Sequence, residues 1–319
     1  MTATTTALNV VIDSHRRLSQ RIHQIELVPR DARPLPFAPA GSHLEVRLPN
    51  GMTRHYSLLD SGSEGCYRIG VLNDPTSRGG SAFLTEQASP GTALSVSAPK
   101  DHFPLDDSLE RYVLIGGGIG ITPLVAMVRQ LRQWEAPLEL HYLVRHREDA
   151  AFLAELEALV PEAHLHLHES SRQGRTDPRT LVGHHDPDVG VYACGPDGLL
   201  TALTEATRHW PEGALRMERF RGITETVSHD RSSCLVELKR SGSRFTLAPD
   251  ESLLDGLTRT GVAPDSLCCE GACGTCAVTV LEGEIDHRDV LQSDSEKAAN
   301  ELVYVCVSRP KSEKLVLDL

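Results

Sequence analysis

No run of this 319-residue chain is apolar for long enough to cross a bilayer as a helix. Residues 1–8 are threonine-rich and lack both the basic and the apolar region of a secretion signal. These absences predict a cytoplasmic protein, bound to no membrane, whose eight cysteines are reduced or metal-bound. Positive charge is also short. A formal net charge of −12 opposes phosphate neutralisation and argues against a nucleic-acid partner. There is no internal repeat, no low-complexity tract and nothing resembling a DNA-binding or output module.

What is present is an ordinary globular composition, 40% hydrophobic and 24% charged, in a chain long enough for two or three domains. Residues 227–319 hold 16 acidic and 10 basic residues, so half of the net negative charge lies in the last third. Two readings stand side by side. One is solubility; the other is steering of this region toward a basic partner surface.

Residues 1–107 read as β-rich. Alternating runs at 7–12, 22–28, 43–48, 54–58, 66–72 and 92–97, separated by proline and glycine, predict a small antiparallel barrel, with one helix from about Gly79. Over 108–226 strands (112–115, 138–144, 164–168, 189–193, 214–220) alternate with helices (123–134, 149–160, 197–210). That alternation predicts a parallel sheet with helices on both faces. After a polar link at 221–232, residues 227–319 read as a compact α+β unit. Its strands are predicted at 234–240, 243–247, 277–281 and 314–317, and its helix at 251–259 opens on Pro249-Asp250.

The cysteines carry the sharpest signal. Cys268, Cys273 and Cys276, with Cys306 much later, give C-x4-C-x2-C…C, the plant-type spacing for a [2Fe–2S] cluster. Gly271 and Gly274 permit positive φ, so that peptide N–H groups can face the cluster. A structural zinc site would normally present two C-x2-C pairs, and a disulfide would need an oxidising compartment. Counting from Cys269 gives C-x3-C instead; the x4 spacing favours Cys268, which leaves Cys269 an extra thiol. His164, His166 and His168 alternate along a predicted strand and share a face, a conceivable metal site with no evident use.

Three further motifs point to nucleotides. Gly116-Gly117-Gly118-Ile119-Gly120-Ile121-Thr122-Pro123 follows a strand and opens a helix, where free N–H groups and the helix dipole suit a pyrophosphate. A tight turn can demand glycines without a ligand, and the acidic residue of the Rossmann fingerprint is not obvious. Ala193-Cys194-Gly195-Pro196 ends a second strand at the same sheet edge; Cys194 alone would read as a small buried thiol. In the barrel, Arg54-His55-Tyr56-Ser57-Leu58 is followed by Ser77-Arg78-Gly79-Gly80-Ser81. Arg54 can hold a phosphate, Tyr56 can lie along a ring system, Ser57 can hydrogen-bond a ring nitrogen, and the glycine helix start is a second phosphate site.

In this order the motifs resemble the phthalate dioxygenase reductase family, whose relatives include the reductases of vanillate O-demethylases and other Rieske oxygenases. The resemblance covers nearly the whole chain. It implies an FMN-binding barrel of the ferredoxin-reductase type (1–107), a NAD-binding α/β domain (108–226) and a plant-type ferredoxin domain of β-grasp fold (227–319). Arg54, Gly79, Gly80 and Ser81 would then hold the FMN phosphate. His55, Tyr56, Ser57, Val71 and Leu72 would lie along the flavin, and Phe220 is the matching aromatic near it. Gly117, Gly118, Thr122, Arg145, Cys194, Gly195 and Pro196 would take the pyridine nucleotide, with Ser57, Cys194 and Phe220 nearest the chemistry. Electrons would pass from NADH through FMN and the [2Fe–2S] cluster to a terminal oxygenase, with the reductase a monomer. A stretch that often reads Arg-Asn in the family is Lys100-Asp101 here. Alternative acceptors are a cytochrome P450 or another oxygenase, and a redox-sensing role is the remote one. Arg145 and Arg147 favour a 2′-phosphate while Glu148 and Asp149 oppose it; the resemblance implies NADH.

Overall fold

The computed structural model describes residues 7–31, 33–49, 51–62, 65–75, 79–220, 233–249, 251–266, 269, 271 and 274–319. Ser77, Arg78, Cys268, Glu270, Cys273 and the link at 221–232 lie outside these. The chain divides into two units, Met1–Glu218 and Arg219–Leu319.

The first unit begins with an antiparallel sheet of β1 (Leu8–Arg17), β2 (Ile22–Pro29), β3 (Ser42–Arg47), β4 (Thr53–Ser57), β5 (Tyr67–Leu72), β6 (Ala93–Val96) and β7 (Lys100–Asp101). Its order is β4-β3-β6-β1-β2-β5, with β7 beside β3. Alternation of apolar residues turns Val10, Ile12, Ile25, Leu27, Leu44, Val46, Ile69 and Val71 into a common core. Each such side chain contributes about 1.5–3 kcal/mol on burial. A bridge between Leu58 and Ile69 joins the two ends of the sheet and makes it a barrel. Between β5 and β6, helix α1 (Gly80–Ala82) runs into a wider π turn, Phe83–Gln87.

The second sheet is wholly parallel: β8 (Arg111–Gly117), β9 (Leu138–Val144), β10 (Leu165–Glu169), β11 (Val189–Cys194) and β12 (Leu215–Glu218), in the order β10-β9-β8-β11-β12. Strand order therefore reverses between β8 and β11, and a crevice opens there at the carboxyl ends of the strands. The helices of this part are α2 (Ile121–Gln133), α3 (Leu153–Leu159), α4 (Ser170–Gln173), α5 (Pro178–Val182) and α6 (Asp197–Ala206).

Three bounds differ from expectation. Helix α3 starts at Leu153 because Phe152 is left-handed, φ 63°, and packs its ring toward Gly70 of β5. Helix α6 ends at Ala206, where Thr207 leaves helical geometry and bonds its hydroxyl to the Leu203 carbonyl. His164 belongs to a 3-10 turn, Glu162–His164, and not to the strand. Barrel and sheet are tied by charge as well as packing. Arg68 of β5 donates to Asp60 at 2.7 Å and to Glu155 of α3 at 3.0 Å, and Arg129 of α2 completes the network at 2.9 Å.

The second unit holds β13 (Cys234–Leu238), β14 (Arg244–Leu247), α7 (Leu253–Thr260), β15 (Ala277–Glu282), β16 (Ile285–Asp286), α8 (Asp294–Ala299), β17 (Leu302–Tyr304), β18 (Arg309–Pro310) and β19 (Lys314–Leu317). Its main sheet runs β14-β13-β19-β15-β17, with only β13 and β19 parallel. The core gathers Val236, Leu253, Leu257, Val303, Leu315 and Leu317. Helix α7 starts two residues later than its sequence signal, capped by Ser252, whose hydroxyl accepts from Asp255 N–H. Helix α8, the short β17 and the β16/β18 pair add to the expected elements.

Candidate active site and cluster loop

The crevice between β8 and β11 is made by two turns pressed backbone to backbone. A Cβ on Gly120 would lie 2.3 Å from the Cys194 carbonyl oxygen. One on Gly117 would lie 2.7 Å from Pro196 Cδ, and one on Gly195 3.0 Å from Gly117 Cα. These glycines are required by turn-on-turn packing before any ligand is considered. Gly118 is different: its φ is +54° and the space over it is open. Pro196 leads into α6 from extended backbone. Thr122 sends its hydroxyl to the Ile119 carbonyl at 2.9 Å and its methyl toward Gly70, so the side chain serves the barrel contact. Beyond β9, Arg145 is exposed. Arg147 is paired with Glu157 at 2.6 Å, and Arg172 with Glu169 at 3.1 Å.

The barrel meets this crevice at Ser57, the last residue of β4. Its hydroxyl donates toward Glu218 Oε2 at 3.5 Å. Glu218 ends β12 and stands in register with Cys194 of β11. Burial pushes the Glu218 carboxyl up to about 8; the Ser57 hydroxyl opposes this and the Asp101 charge adds to it. A carboxyl in that state holds its proton at neutral pH. Burial alone pushes the Cys194 thiol well above its ordinary value, so the thiol stays neutral; a charge on Glu218, present only once that carboxyl ionises, acts in the same direction. The sequence motifs single out Ser57 and Cys194, which the structure places on either side of Glu218; no motif singles out Glu218. Its only signal was a carboxylate closing the last strand of a parallel sheet. Phe220, two residues on, falls in the second unit.

Arg54 and Gly80 are brought together. A Cβ on Gly80 would sit 2.7 Å from Arg54 Nε, so the guanidinium side chain runs across the start of α1. Gly79 precedes it at φ 98°. Ser81 is buried and its hydroxyl accepts from Asp74 N–H at 3.3 Å. Tyr56 is half-buried against the barrel core. His55 lies on the other face of β4, where the His43 ring bridges it (5.2 Å) and His102 (4.8 Å). Val71 is wholly within the barrel core, which leaves its backbone to face a ligand; Leu72 is half-buried.

In the second unit, Cys276 is buried and Cys306 half-buried in one core, and Val305 N–H donates to the Cys276 carbonyl at 3.3 Å. Two of the four expected ligands are thus neighbours; Cys268 and Cys273 are outside the described residues. Gly271 (φ +68°) and Gly274 (φ +76°) take the conformation expected of them, and Cys269 is also left-handed at φ 52°. The donor set and the loop backbone fit a plant-type cluster. The histidine group proves to be His141, His166 and His168. His141 stacks on His166 at 4.9 Å, and its Nδ1 lies 3.1 Å from His168 Nε2. Burial, with two neighbouring imidazoles, pushes His141 down to about 4. Among the described residues no group of three or more such side chains has the arrangement of a metal site.

Comparison with known proteins agrees with this construction. Residues 114–205 match an oxidoreductase NAD-binding domain and residues 236–311 a 2Fe-2S iron-sulfur cluster binding domain. Phthalate dioxygenase reductase of Burkholderia cepacia is 37% identical over 98% of this chain and 97% of its own. The chain belongs to the phthalate dioxygenase reductase family. A solved structure of a phthalate dioxygenase reductase aligns over 98% of both chains with a TM-score of 0.74. The toluene-4-sulfonate monooxygenase reductase subunit of Comamonas testosteroni is 39% identical over 97% of this chain and 98% of its own. An intact type IV self-sufficient cytochrome P450 monooxygenase matches at 36% identity and a TM-score of 0.84; 98% of this chain covers 41% of that longer one. Members of this family are oxidoreductases, and this chain shares their ferredoxin-reductase-type fold with a C-terminal ferredoxin domain. Among the described residues no helix is long and apolar enough to cross a membrane.

Proposed function

We propose that this chain is the NADH-dependent reductase of a multicomponent oxygenase or demethylase acting on aromatic compounds, cytoplasmic and monomeric, with a Rieske-type terminal oxygenase as partner. The observation that carries the reading is the Ser57–Glu218 contact, which joins the end of a barrel strand to the carboxyl edge of the parallel sheet beside Cys194. In this reading the domains are 1–107, 108–226 and 227–319. The NADH pyrophosphate lies over Gly117 and Gly118 at the start of α2, with Thr122 in its first turn. The nicotinamide lies by Cys194, Gly195 and Pro196, and Arg145 faces the adenosine end. Arg54, Gly79, Gly80 and Ser81 would hold the FMN phosphate; His55, Tyr56, Ser57 and the backbone of Val71 and Leu72 would border its ring. Cys268, Cys273, Cys276 and Cys306 ligate the [2Fe–2S] cluster.

The barrel residues would hold FMN, which would supply hydride acceptance and single-electron release, and the four cysteines would hold a cluster that supplies one-electron transfer. NADH brings two electrons and one proton as hydride, whereas one-electron carriers remove electrons alone. One proton per NADH must therefore leave. Glu218, neutral and next to Ser57, is the group placed to hold a proton at Oε2. The test is purification with bound FMN and about two irons per chain, followed by NADH-driven reduction of cytochrome c and turnover with a Rieske oxygenase. Protein without flavin, or inert toward NADH, overturns the assignment, and kcat/KM for NADH over NADPH decides the nucleotide. A second reading keeps the chemistry and makes the acceptor a cytochrome P450; the match to a segment of a self-sufficient P450 favours it. Reduction of a P450 in place of a Rieske protein would select it.

A further inference from the structure

The two faces of β5 have different duties. Tyr67, Ile69 and Val71 turn into the barrel core, and Arg68, Gly70 and Leu72 turn the other way. On that outer face the parallel-sheet half of the unit is seated at Gly70. A Cβ there would lie 2.5 Å from Thr122 Cγ2 and 3.3 Å from two carbons of the Phe152 ring. Glycine is what lets α2 and Phe152 come so close to the strand. Phe152 holds its buried ring there from a left-handed backbone, φ 63°. A bulky residue adopts that conformation where its surroundings over-determine it, commonly at a site with a function. Burying an apolar ring does not by itself require such a backbone; putting the ring at this one place does.

The ring is held from both sides. The hydroxyl of Tyr142, buried in β9, lies 3.3 Å from the Gly118 carbonyl and 3.2 Å from the Ala151 carbonyl, and its proton serves both. Gly118 is the open glycine of the crevice turn, and Ala151 is the chain neighbour of Phe152, so turn and ring are one piece. On the other side Glu155, in the first turn of α3, takes the Arg68 guanidinium on both oxygens, at 3.0 and 3.3 Å, and Arg129 at 2.9 Å. Burial raises the Glu155 carboxyl, and the two guanidinia outweigh it and hold it below its ordinary value, so the clamp is charged at neutral pH. Contacts therefore run without a break from Gly118 through Tyr142, Ala151 and Phe152 to Gly70, whose next residues are Val71 and Leu72.

We propose that Phe152 is a positioning residue for hydride transfer, a spacer that fixes the nucleotide turn of α2 against the flavin-bordering end of β5, with Arg68 and Glu155 clamping it. The inference rests on the proposed placing of NADH over Gly118 and of FMN along the backbone of Val71 and Leu72. Phe152 touches neither; it acts through Gly118 and Gly70. Hydride transfer is steep in geometry, and a misplacement of about 1 Å can cost about 100-fold. The test compares the wild-type holoprotein with Phe152→Ala. Stopped-flow spectroscopy reads flavin reduction by NADH and the long-wavelength absorbance of nicotinamide stacked on flavin, and calorimetry reads the affinity for NAD+. Flavin reduction should slow by about 10-fold to 100-fold and the stacking absorbance should fall, while NAD+ affinity stays within about twofold. If that variant loses its fold or its flavin, Glu155→Gln is measured in its place. Arg68 then keeps Asp60 at 2.7 Å while the clamp on α3 loosens, and a slowing of about 3-fold to 10-fold with the same loss of stacking absorbance is expected. Wild-type reduction rate and stacking absorbance in the variant measured, or a loss confined to NAD+ affinity, overturns the proposal. Wild-type protein without flavin, or inert toward NADH, overturns the proposed function instead.

Discussion

The two units build their sites by opposite means. In Met1–Glu218 the site is made by the chain fitting against itself: Gly117, Gly120 and Gly195 let two turns touch, and Glu218 stands between Ser57 of the barrel and Cys194 of the parallel sheet. In Arg219–Leu319 the proposed cluster site depends on particular donor atoms, of which Cys276 on the loop and Cys306 on a later segment share one core. The first kind should be sensitive to volume and indifferent to side-chain chemistry, the second sensitive to a single element and tolerant of shape. One-atom substitutions separate them.

The largest effect is expected at the loop. Cys276→Ser exchanges sulfur for oxygen at a buried position with almost no change of volume. It should abolish the cluster's absorbance and paramagnetic signal and slow electron delivery to the terminal acceptor by about 100-fold or more. NADH-driven flavin reduction should remain; stopped-flow spectroscopy reads both steps. Next comes Gly120→Ala, which adds one carbon where a carbonyl oxygen is 2.3 Å away. At φ −63° the backbone itself tolerates alanine, so the cost is overlap alone, about 3 kcal/mol. Thermal melting should show it, together with slowed flavin reduction and an unchanged cluster spectrum. A cluster lost in this variant would break the contrast.

The smallest effect sharpens it. The Glu218 carboxyl is raised from 4.5 to about 8 in the folded chain. Between those values the folded state holds a proton that the unfolded state has released, so stability falls as pH rises through the window. The loss should be about 2 kcal/mol, below the full shift because Glu218 keeps some solvent contact. Glu218→Gln should flatten that dependence in urea titrations across the same range. A slope retained in the variant would move the origin to another group.

What sequence alone disclosed follows the same division. Turn glycines, the cysteine spacing and the strand–helix alternation are local patterns, and nearly every long element appeared within a few residues of its expected bounds. The misses need tertiary knowledge. Helix α8 buries no side chain and so leaves no apolar period; its capping box, Ser293 with Glu296, was its only local mark. Phe152 takes φ 63° because its ring seats on Gly70, about eighty residues earlier in the chain. Glu218 looks like any surface carboxylate until the two sheets of its unit bring Ser57 and Cys194 beside it. The third histidine of the cluster was His141, on the strand beside His166 and His168, because parallel pairing and not sequence proximity sets that neighbour.

The state of the Cys194 thiol bears on how long such a protein lasts. Thiolate, and not thiol, is what peroxide attacks, and a reductase that hands electrons on in air stands close to reduced oxygen species. Cys194 is wholly enclosed, hydrogen-bonded by the Gly195 N–H, and kept protonated by burial and by a neighbouring carboxyl. A sulfur at the carboxyl edge of the parallel sheet is thereby rendered slow to oxidise. The half-buried Cys269, in a left-handed bend of the cysteine loop, has no such enclosure. Ageing by oxidation should then begin on the cysteine loop and spare Cys194.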